Sequence, residues 1–333
     1  MFRLGLNTYS IRALRWHDLQ LLEYAASLKL DAIFLQDSID PGTNDPAHWK
    51  EVKDAAKRLD LHLETGGGGV LPANAGAFDR SVKLLRDGIK RAVGMGSPLM
   101  RILLASDRDH LPPGPIEQHI ETMVRLLKTV RTEAIDAGIH FAIENHKDLT
   151  CWETRQVIDS AGTGFVGSYL DTGNPVFILE DPMQTVETLG PVAVMLHLRD
   201  SVVYESRNGI AVQWVPLGEG VVDFKAIIAK AKELCPQVPV YIKPITGRPP
   251  AIQAVWDPAF MQKYRDVRAH DFARFVALAK KGHPYEAHMV IEDVPGTAPQ
   301  VYTAALTYQQ KEHMERSVEY GKKVLDLGIK WRG

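Results

Sequence analysis

The stretch from His140 to Asp200 decides the fold, because it repeats one pattern: HFAIENH (140–146), GSYLDTGN (167–174) and VMLHLRD (194–200). In each repeat a short apolar run ends in polar side chains. Amphipathic stretches separate one run from the next. This alternation is typical of parallel strands joined by right-handed helical crossovers.

The same alternation extends outward over the whole chain and predicts eight short strands. They are Phe2–Leu6, Asp31–Leu35, Leu61–Glu64, Met100–Leu104, His140–Glu144, Gly167–Asp171, Val194–Leu198 and Val238–Lys243. No G-x-G-x-x-G sequence follows the first strand, so the pattern favours a closed (β/α)8 TIM barrel over an open doubly wound sheet. Reactive groups are then expected at the carboxyl ends of the strands.

Helical periodicity is clearest from Pro115 to Ala137, where apolar residues recur on one face. The other predicted helices are Asp18–Leu28, Asp79–Val93, Trp152–Ser160, Pro182–Leu189, Asp223–Leu234 and Tyr302–Leu327. The stretch Ile245–Gln300 breaks the rhythm, although Ala269–Lys281 within it is helical in pattern. We interpret residues 1–333 as one barrel domain in which 245–300 is a long insertion on the active face, serving as a lid or an oligomer contact.

Composition excludes several functional classes. The 333 residues are 45% hydrophobic and 24% charged, with 39 Lys and Arg against 41 Asp and Glu. No basic segment with interleaved aromatic residues indicates a nucleic-acid partner, and no apolar run approaches the ~18 residues of a membrane span. Cys151 and Cys235 lie far apart and fit a reducing compartment. We expect a cytoplasmic protein whose partner is a small molecule. The sequence is compatible with a homo-oligomer.

Three consecutive strands end in side chains that bind metals: Glu144, Asp171 and His197. They are separated by 27 and 26 residues, about one βα repeat each, so equivalent positions would converge above the barrel. Two carboxylates and an imidazole without a thiolate favour Mn²⁺, Mg²⁺, Co²⁺ or Zn²⁺. The sequence therefore predicts one divalent metal held by these three residues.

These motifs resemble those of a known family. The sequences AIENH (142–146), LDTG (170–173), HLRD (197–200) and PLGEGVVDF (216–224) are similar to those of the xylose isomerase-like TIM barrels, the sugar phosphate isomerase/epimerase superfamily. The resemblance runs from the first strand to the last helix. LEDP (179–182) and ITGRPP (245–250) resemble a branch that includes 3-oxo-isoapionate decarboxylase-like proteins.

The resemblance implies a metal held by Glu, Asp, His and a second Glu on strands five to eight. Glu144, Asp171 and His197 match the first three, but Lys243 stands where the second glutamate is expected. A neighbouring divalent cation would lower the pKa of Lys243, which could then bind metal or move a proton. Alternatively, Lys243 is an ion-paired lysine in a protein that lost tight metal binding. Glu292, in the strand-like run 288–293, is a rival fourth ligand.

The superfamily's chemistry implies a metal that polarises a sugar carbonyl and stabilises an enediolate while a base moves the adjacent proton. Epimerisation needs a base on each face, and this chain keeps one glutamate of the two. The favoured function is therefore a lyase that acts on a keto-sugar or sugar acid by decarboxylation or elimination. Glu144 and Lys243 are the expected catalytic residues. A sugar isomerase or epimerase and a non-catalytic sugar-binding barrel are the alternatives.

Four residues are candidates for substrate binding. His146 can hydrogen-bond to substrate oxygens or support a metal ligand, and Asn174 can orient a hydroxyl. The guanidinium groups of Arg199 and Arg248 suit a carboxylate or phosphate. The alternatives are a packed loop histidine at His146 and a surface arginine at Arg248. The glycine run Gly66–Gly69 is expected to form a flexible turn on the active face.

Overall fold

The structure is a computed structural model that describes residues 1–36, 44–292 and 298–333. Its strands are β1 (Leu4–Asn7), β2 (Ala32–Gln36), β3 (His62–Gly69), β4 (Leu99–Leu103), β5 (His140–Glu144), β6 (Val166–Asp171), β7 (Ala193–Leu198), β8 (Asp200–Ser206), β9 (Gly209–Val215), β10 (Val240–Ile242) and β11 (Ala251–Gln253). Strands β1 to β7 and β10 form a closed parallel barrel, in which β10 pairs with both β7 and β1. The predicted TIM barrel is confirmed.

The helices lie outside the barrel, most of them packed against it. They are α1 (Asp18–Ser27), α2 (Pro46–Arg58), α3 (Phe78–Met95), α4 (Ile116–Thr129), α5 (Arg131–Asp136), α6 (Cys151–Ala161), α7 (Pro182–Leu189), α8 (Phe224–Leu234), α9 (Pro258–Met261), α10 (Ala269–Lys281) and α11 (Gln300–Lys323). The helix predicted from Pro115 to Ala137 divides at Val130, whose backbone leaves helical geometry (φ −105°, ψ 9°). Helix α2 was not predicted, although Asp45 caps its amino end and Pro46 begins it.

Strand β3 is longer than predicted, and this corrects the prediction of a flexible turn at Gly66–Gly69, because these glycines continue the strand. Gly66 pairs with Arg101 of β4. A Cβ atom at Gly66 would lie 2.3 Å from the Arg101 backbone nitrogen, so only glycine permits this close approach. The glycine run therefore brings β3 and β4 together beside Arg101.

A second sheet follows the seventh barrel strand, and the sequence analysis did not predict it. Strands β8 and β9 form an antiparallel hairpin, and β11 pairs with β9 to give the order β11-β9-β8. Helix α10 packs on this sheet through Phe275 and Ala279. The hairpin places Trp214 beside the barrel mouth, where its indole N–H donates to the Gly173 carbonyl (2.8 Å).

The predicted insertion 245–300 contains β11, α9 and α10, and its residues 293–297 lie outside the described part of the chain. Its role as a lid or oligomer contact stays a prediction. Within the described ranges, no helix is both long and apolar enough to cross a bilayer.

Aromatic side chains fill the barrel interior and make it a packed core rather than a pore. Phe34 packs edge-to-face against Tyr169 and Tyr241, with ring centroids 5.7 and 6.1 Å away. All three rings are fully buried. They form the floor beneath the polar residues at the carboxyl ends of the strands.

Candidate active site

An open cavity of about 580 Å³ lies at the carboxyl ends of the barrel strands. Five cationic side chains line it: Arg101, Lys147, Arg199, Lys243 and Arg248. Among the residues that the structure describes, no Asp or Glu is part of this lining. The cavity is therefore electrostatically suited to a small anionic molecule.

Glu144, the last residue of β5, is buried beside the cavity, and both of its carboxylate oxygens accept hydrogen bonds. Arg101 Nε donates to Oε2 at 2.6 Å, and the Arg101 Nη2 group contacts the same oxygen. Lys243 Nζ and Asn174 Nδ2 donate to Oε1 at 2.9 and 3.0 Å. Burial alone would raise the pKa of Glu144, but the charges of Arg101 and Lys243 outweigh it and hold this pKa well below its usual range.

Asp171, the last residue of β6, is bound in the same way. Its Oδ1 accepts the backbone N–H groups of Gly173 and Asn174 at 2.9 and 3.0 Å. Its Oδ2 accepts Arg199 Nη2 at 2.7 Å and Lys243 Nζ at 3.2 Å. Each oxygen of the two carboxylates therefore already accepts two protein hydrogen bonds.

Lys243 follows β10, and its ammonium group bridges Glu144 and Asp171 while also lining the cavity. Burial and the charge of Arg199 lower the pKa of Lys243 to about 8, although Glu144 and Asp171 oppose this shift. The residue that replaces the expected glutamate thus occupies the space between the two acids.

His197 pairs in register with Asp171 on the neighbouring strand, but its ring packs in the aromatic core. Its ring stacks on Tyr169 and Tyr241, with centroids 3.9 and 4.8 Å away. Its Nδ1 shares a hydrogen bond with the Tyr169 hydroxyl (2.8 Å). Burial, reinforced by the charge of Lys243, lowers the pKa of His197 well below its usual value, so the imidazole is neutral.

The predicted metal ligand set of Glu144, Asp171 and His197 is not arranged as a metal site in this structure. The described residues contain no group of three or more His, Cys, Asp or Glu side chains placed to hold a metal ion. The carboxylate oxygens are saturated, and the ammonium of Lys243 lies between them. A divalent metal, whether Mn²⁺, Mg²⁺, Co²⁺ or Zn²⁺, therefore does not fit these residues as they stand.

The rival fourth ligand, Glu292, is also corrected by the structure. Residues 288–292 form no strand, and the eighth barrel strand is β10, which ends beside Lys243. Asp293, the last residue of that predicted run, lies outside the described residues. Glu292 forms ion pairs with Arg12 and with Arg248, whose Nε lies 2.7 Å from Oε1.

Three of the four predicted substrate-binding residues line the cavity: His146, Arg199 and Arg248. Burial lowers the pKa of His146 to about 3, and its Nδ1 lies 2.5 Å from the Ser106 carbonyl oxygen. The imidazole is therefore neutral and held in place. The guanidinium of Arg199 lies 4.4 Å from the Trp214 ring centroid, where the ring face supports its charge.

Asn174, the fourth predicted residue, has its amide engaged within the protein. Nδ2 donates to Glu144 Oε1 and to the Asn145 carbonyl, and Oδ1 accepts from Arg199 Nη1 at 3.1 Å. In this arrangement Asn174 orients Glu144 and Arg199. Contact between Asn174 and a substrate hydroxyl stays a prediction.

Among the residues that line the cavity, sequence reasoning missed Arg101, Lys147 and Trp214. Arg101 carried a usable signal, because a charged residue inside a buried apolar strand must find a charged partner. Lys147 follows the predicted ligand motif directly, and its ammonium lies 5.7 Å from the rings of Phe177 and Trp214. Trp214 belongs to the hairpin that was not predicted.

Residues 22–264 match the sequence profile of the Xylose isomerase-like TIM barrel family. Because this match covers more than half of the chain, the protein belongs to that family. The resemblance in the strand-end motifs is thereby confirmed, whereas nothing in the comparisons extends it to the decarboxylase branch.

One curated relative is the uncharacterized protein YihM of Escherichia coli K12, 22% identical over 189 residues, which are 56% of this chain and 52% of that protein. The chain thus spans about half the length of this relative. A D-psicose 3-epimerase from Clostridium cellulolyticum H10, solved with D-tagatose, superposes with a TM-score of 0.65 at 14% identity, covering 97% of this chain and 99% of the epimerase.

The IOLI protein, whose structure contains a zinc atom, superposes with a TM-score of 0.59 at 12% identity and covers 82% of this chain and 99% of its own. At such low identities these structures show a shared fold. The zinc atom belongs to the IOLI protein. This similarity assigns no zinc site to the saturated carboxylates of the present chain.

Proposed function

We propose that this protein is a lyase that acts on a small keto-sugar acid. It either decarboxylates the substrate or catalyses an elimination from it, in both cases through an enolate. The observation that carries this proposal is the cavity, which five cations line while the nearby carboxylates remain paired beneath them. Protein carboxylates pair with these cations from outside the cavity, but no Asp or Glu of the described residues lines the cavity itself. A sugar carboxylate therefore complements the positive charge of the lining better than an uncharged sugar does. We place this chemistry in the cytoplasm.

Decarboxylation of a 3-keto acid requires stabilisation of negative charge rather than a strong base. When the bond to the carboxylate carbon breaks, its electron pair moves toward the ketone oxygen, CO₂ leaves and an enolate remains. Arg101, Arg199 and Lys243 supply positive charge where this oxyanion forms. The Lys243 ammonium then donates a proton to the enolate carbon and regains one from water, which balances the reaction.

An isomerase or epimerase is less well supported, because the site offers no suitable pair of bases. Cations hold Glu144 ionised with a low pKa, which makes it a weak base. Along the described stretches of the chain, no Asp or Glu side chain lines the cavity. A non-catalytic sugar-binding barrel would use the same cavity, so only a measurement of turnover distinguishes it from the lyase.

The test is to incubate the protein with a panel of short 3-keto sugar acids in D₂O and to follow the products by ¹³C and ¹H NMR. We expect CO₂ release with one deuterium incorporated next to the carbonyl. Lys243→Met should lower kcat by at least about 100-fold while the fold is retained. Lys230→Met, at a partly exposed lysine on α8 outside the cavity, is the matched control and should behave as wild type.

Other outcomes would contradict the lyase. Deuterium exchange with interconversion of ketoses and no CO₂ would indicate an epimerase. Tight binding of sugar acids without any turnover would indicate a binding barrel. Wild-type activity in Lys243→Met would show that this lysine takes no part in the chemistry.

A further inference from the structure

We infer that this protein works without a divalent metal, because Arg101, Arg199 and Lys243 together provide the positive charge that the family resemblance assigns to a metal ion. The absence of metal binding follows from the geometry of the site alone. The catalytic role of the three cations rests on the proposed function.

Hydrogen-bond saturation is the first argument. The two oxygens of Glu144 accept from Arg101, Lys243 and Asn174. Those of Asp171 accept from Arg199, Lys243 and two backbone N–H groups. A metal ion would have to displace several charge-assisted hydrogen bonds to reach either acid.

Charge balance is the second argument. Two carboxylates would neutralise one divalent cation, but here they face three buried monovalent cations. This cluster already carries an excess of positive charge. Two more positive charges in a poorly solvated site would be strongly unfavourable unless a lysine lost its proton or an arginine moved out.

The third argument is that these cations are fixed in place and face the cavity. Arg101 is held by Glu144 and by the Gly67 carbonyl. Arg199 is held by Asp171 and by the face of Trp214. Positive charge that is held in this way stabilises an oxyanion without reorganisation of the site. In metal-dependent enzymes a bound metal ion has this role.

Metal content tests the inference directly. Wild-type protein is dialysed against EDTA, loaded separately with Mn²⁺, Co²⁺ and Zn²⁺, passed through a desalting column and analysed for metal. We expect fewer than about 0.1 ion per chain. About one ion per chain that Asp171→Asn abolishes would overturn the inference, whereas an ion that persists in Asp171→Asn lies elsewhere and is compatible with it.

A gain-of-function variant provides a second measurement. Lys243→Glu replaces the bridging ammonium with a third carboxylate, so it should bind about one Co²⁺ per chain and develop visible Co²⁺ absorption. Lys243→Met, which removes the charge without adding a ligand, is the comparison and should bind at least about tenfold more weakly. Equal Co²⁺ binding by wild type and a folded Lys243→Glu would contradict the inference.

These readings need no substrate, so they stand whether or not the keto-acid activity is found. Where that activity is found, EDTA should change kcat less than about twofold. Loss of turnover in EDTA with recovery on adding Mn²⁺ would overturn the metal-free inference and leave the lyase proposal intact. Absence of any keto-acid turnover would overturn the lyase proposal and leave the metal-free inference intact.

Discussion

Two sets of buried carboxylates in this barrel differ in what neutralises them. At the barrel mouth, Glu144 and Asp171 contact three cationic side chains. On the outer connections, Glu180 accepts the Cys151 backbone N–H at 3.0 and 3.1 Å, and Asp200 accepts backbone N–H groups of the loop that follows β9, two of them at 2.9 Å. All four acids are almost completely shielded from solvent.

The pKa values diverge accordingly. Burial raises the pKa of Glu180 to about 8 and that of Asp200 to about 7, because backbone N–H groups offset the loss of hydration only in part. The same burial is outweighed at Glu144 by Arg101 and Lys243. The comparison teaches that neighbouring cations, rather than depth, keep Glu144 ionised.

The largest effect is expected from removing an acid at the mouth. Glu144→Ala would leave Arg101 and Lys243 without their shared partner and should lower the free energy of unfolding by roughly 3–5 kcal/mol. Urea denaturation followed by circular dichroism measures this. Glu233→Ala, at an exposed ion pair, is the control and should cost less than about 1 kcal/mol. Similar losses in both variants would mean that the acids and cations of the mouth do not stabilise one another strongly.

Glu180→Gln probes the other set of acids through pH. Because the folded pKa of Glu180 is raised above its unfolded value, its contribution to stability is present below about pH 4.5 and is lost as pH rises toward 8. Relative to wild type, Glu180→Gln should gain roughly 4 kcal/mol at pH 8 and nothing near pH 4. Unfolding curves at the two pH values measure this difference, and a gain of the same size at both would refute the assignment.

The cationic cavity should bind a sugar acid more tightly than an uncharged sugar alcohol. Gluconate should raise the melting temperature of the protein, whereas glucitol, which has the same carbon skeleton without the charge, should not. Arg248→Met should weaken gluconate binding by about tenfold, which titration calorimetry measures. Lys263→Met, at an exposed lysine, serves as the control. Equal responses to gluconate and glucitol would remove the electrostatic argument for a sugar-acid substrate.

The smallest effect concerns the insertion. Ile245 and Arg248 at its start line the cavity, so a bound sugar acid should slow amide hydrogen exchange between Ile245 and Gln253 by a few-fold. Hydrogen exchange with mass spectrometry, with and without gluconate, resolves this segment. Unchanged exchange at saturating ligand would favour a fixed structural or subunit-contact role for the insertion.

Much of the fold was predictable, because strand alternation and helical periodicity are local signals. The eight barrel strands, the closed topology and helices such as Pro182–Leu189 agree with expectation. The hairpin β8–β9 was missed although its alternating residues were present. Helix α2 was missed although Asp45 and Pro46 marked its start.

By itself, the sequence determined that Glu144, Asp171 and Lys243 stand at strand ends of one barrel, since each position follows from the repeat. Only the tertiary structure decided what those residues contact. Arg101 and Glu144 are 43 residues apart and Lys243 and Glu144 are 99, so their pairing depends on how the barrel closes. His197 follows the same repeat, yet its ring packs among aromatic rings and hydrogen-bonds to Tyr169 rather than to an acid. Periodicity specifies which face of a strand a side chain occupies, whereas the neutralising partner depends on distances across the barrel.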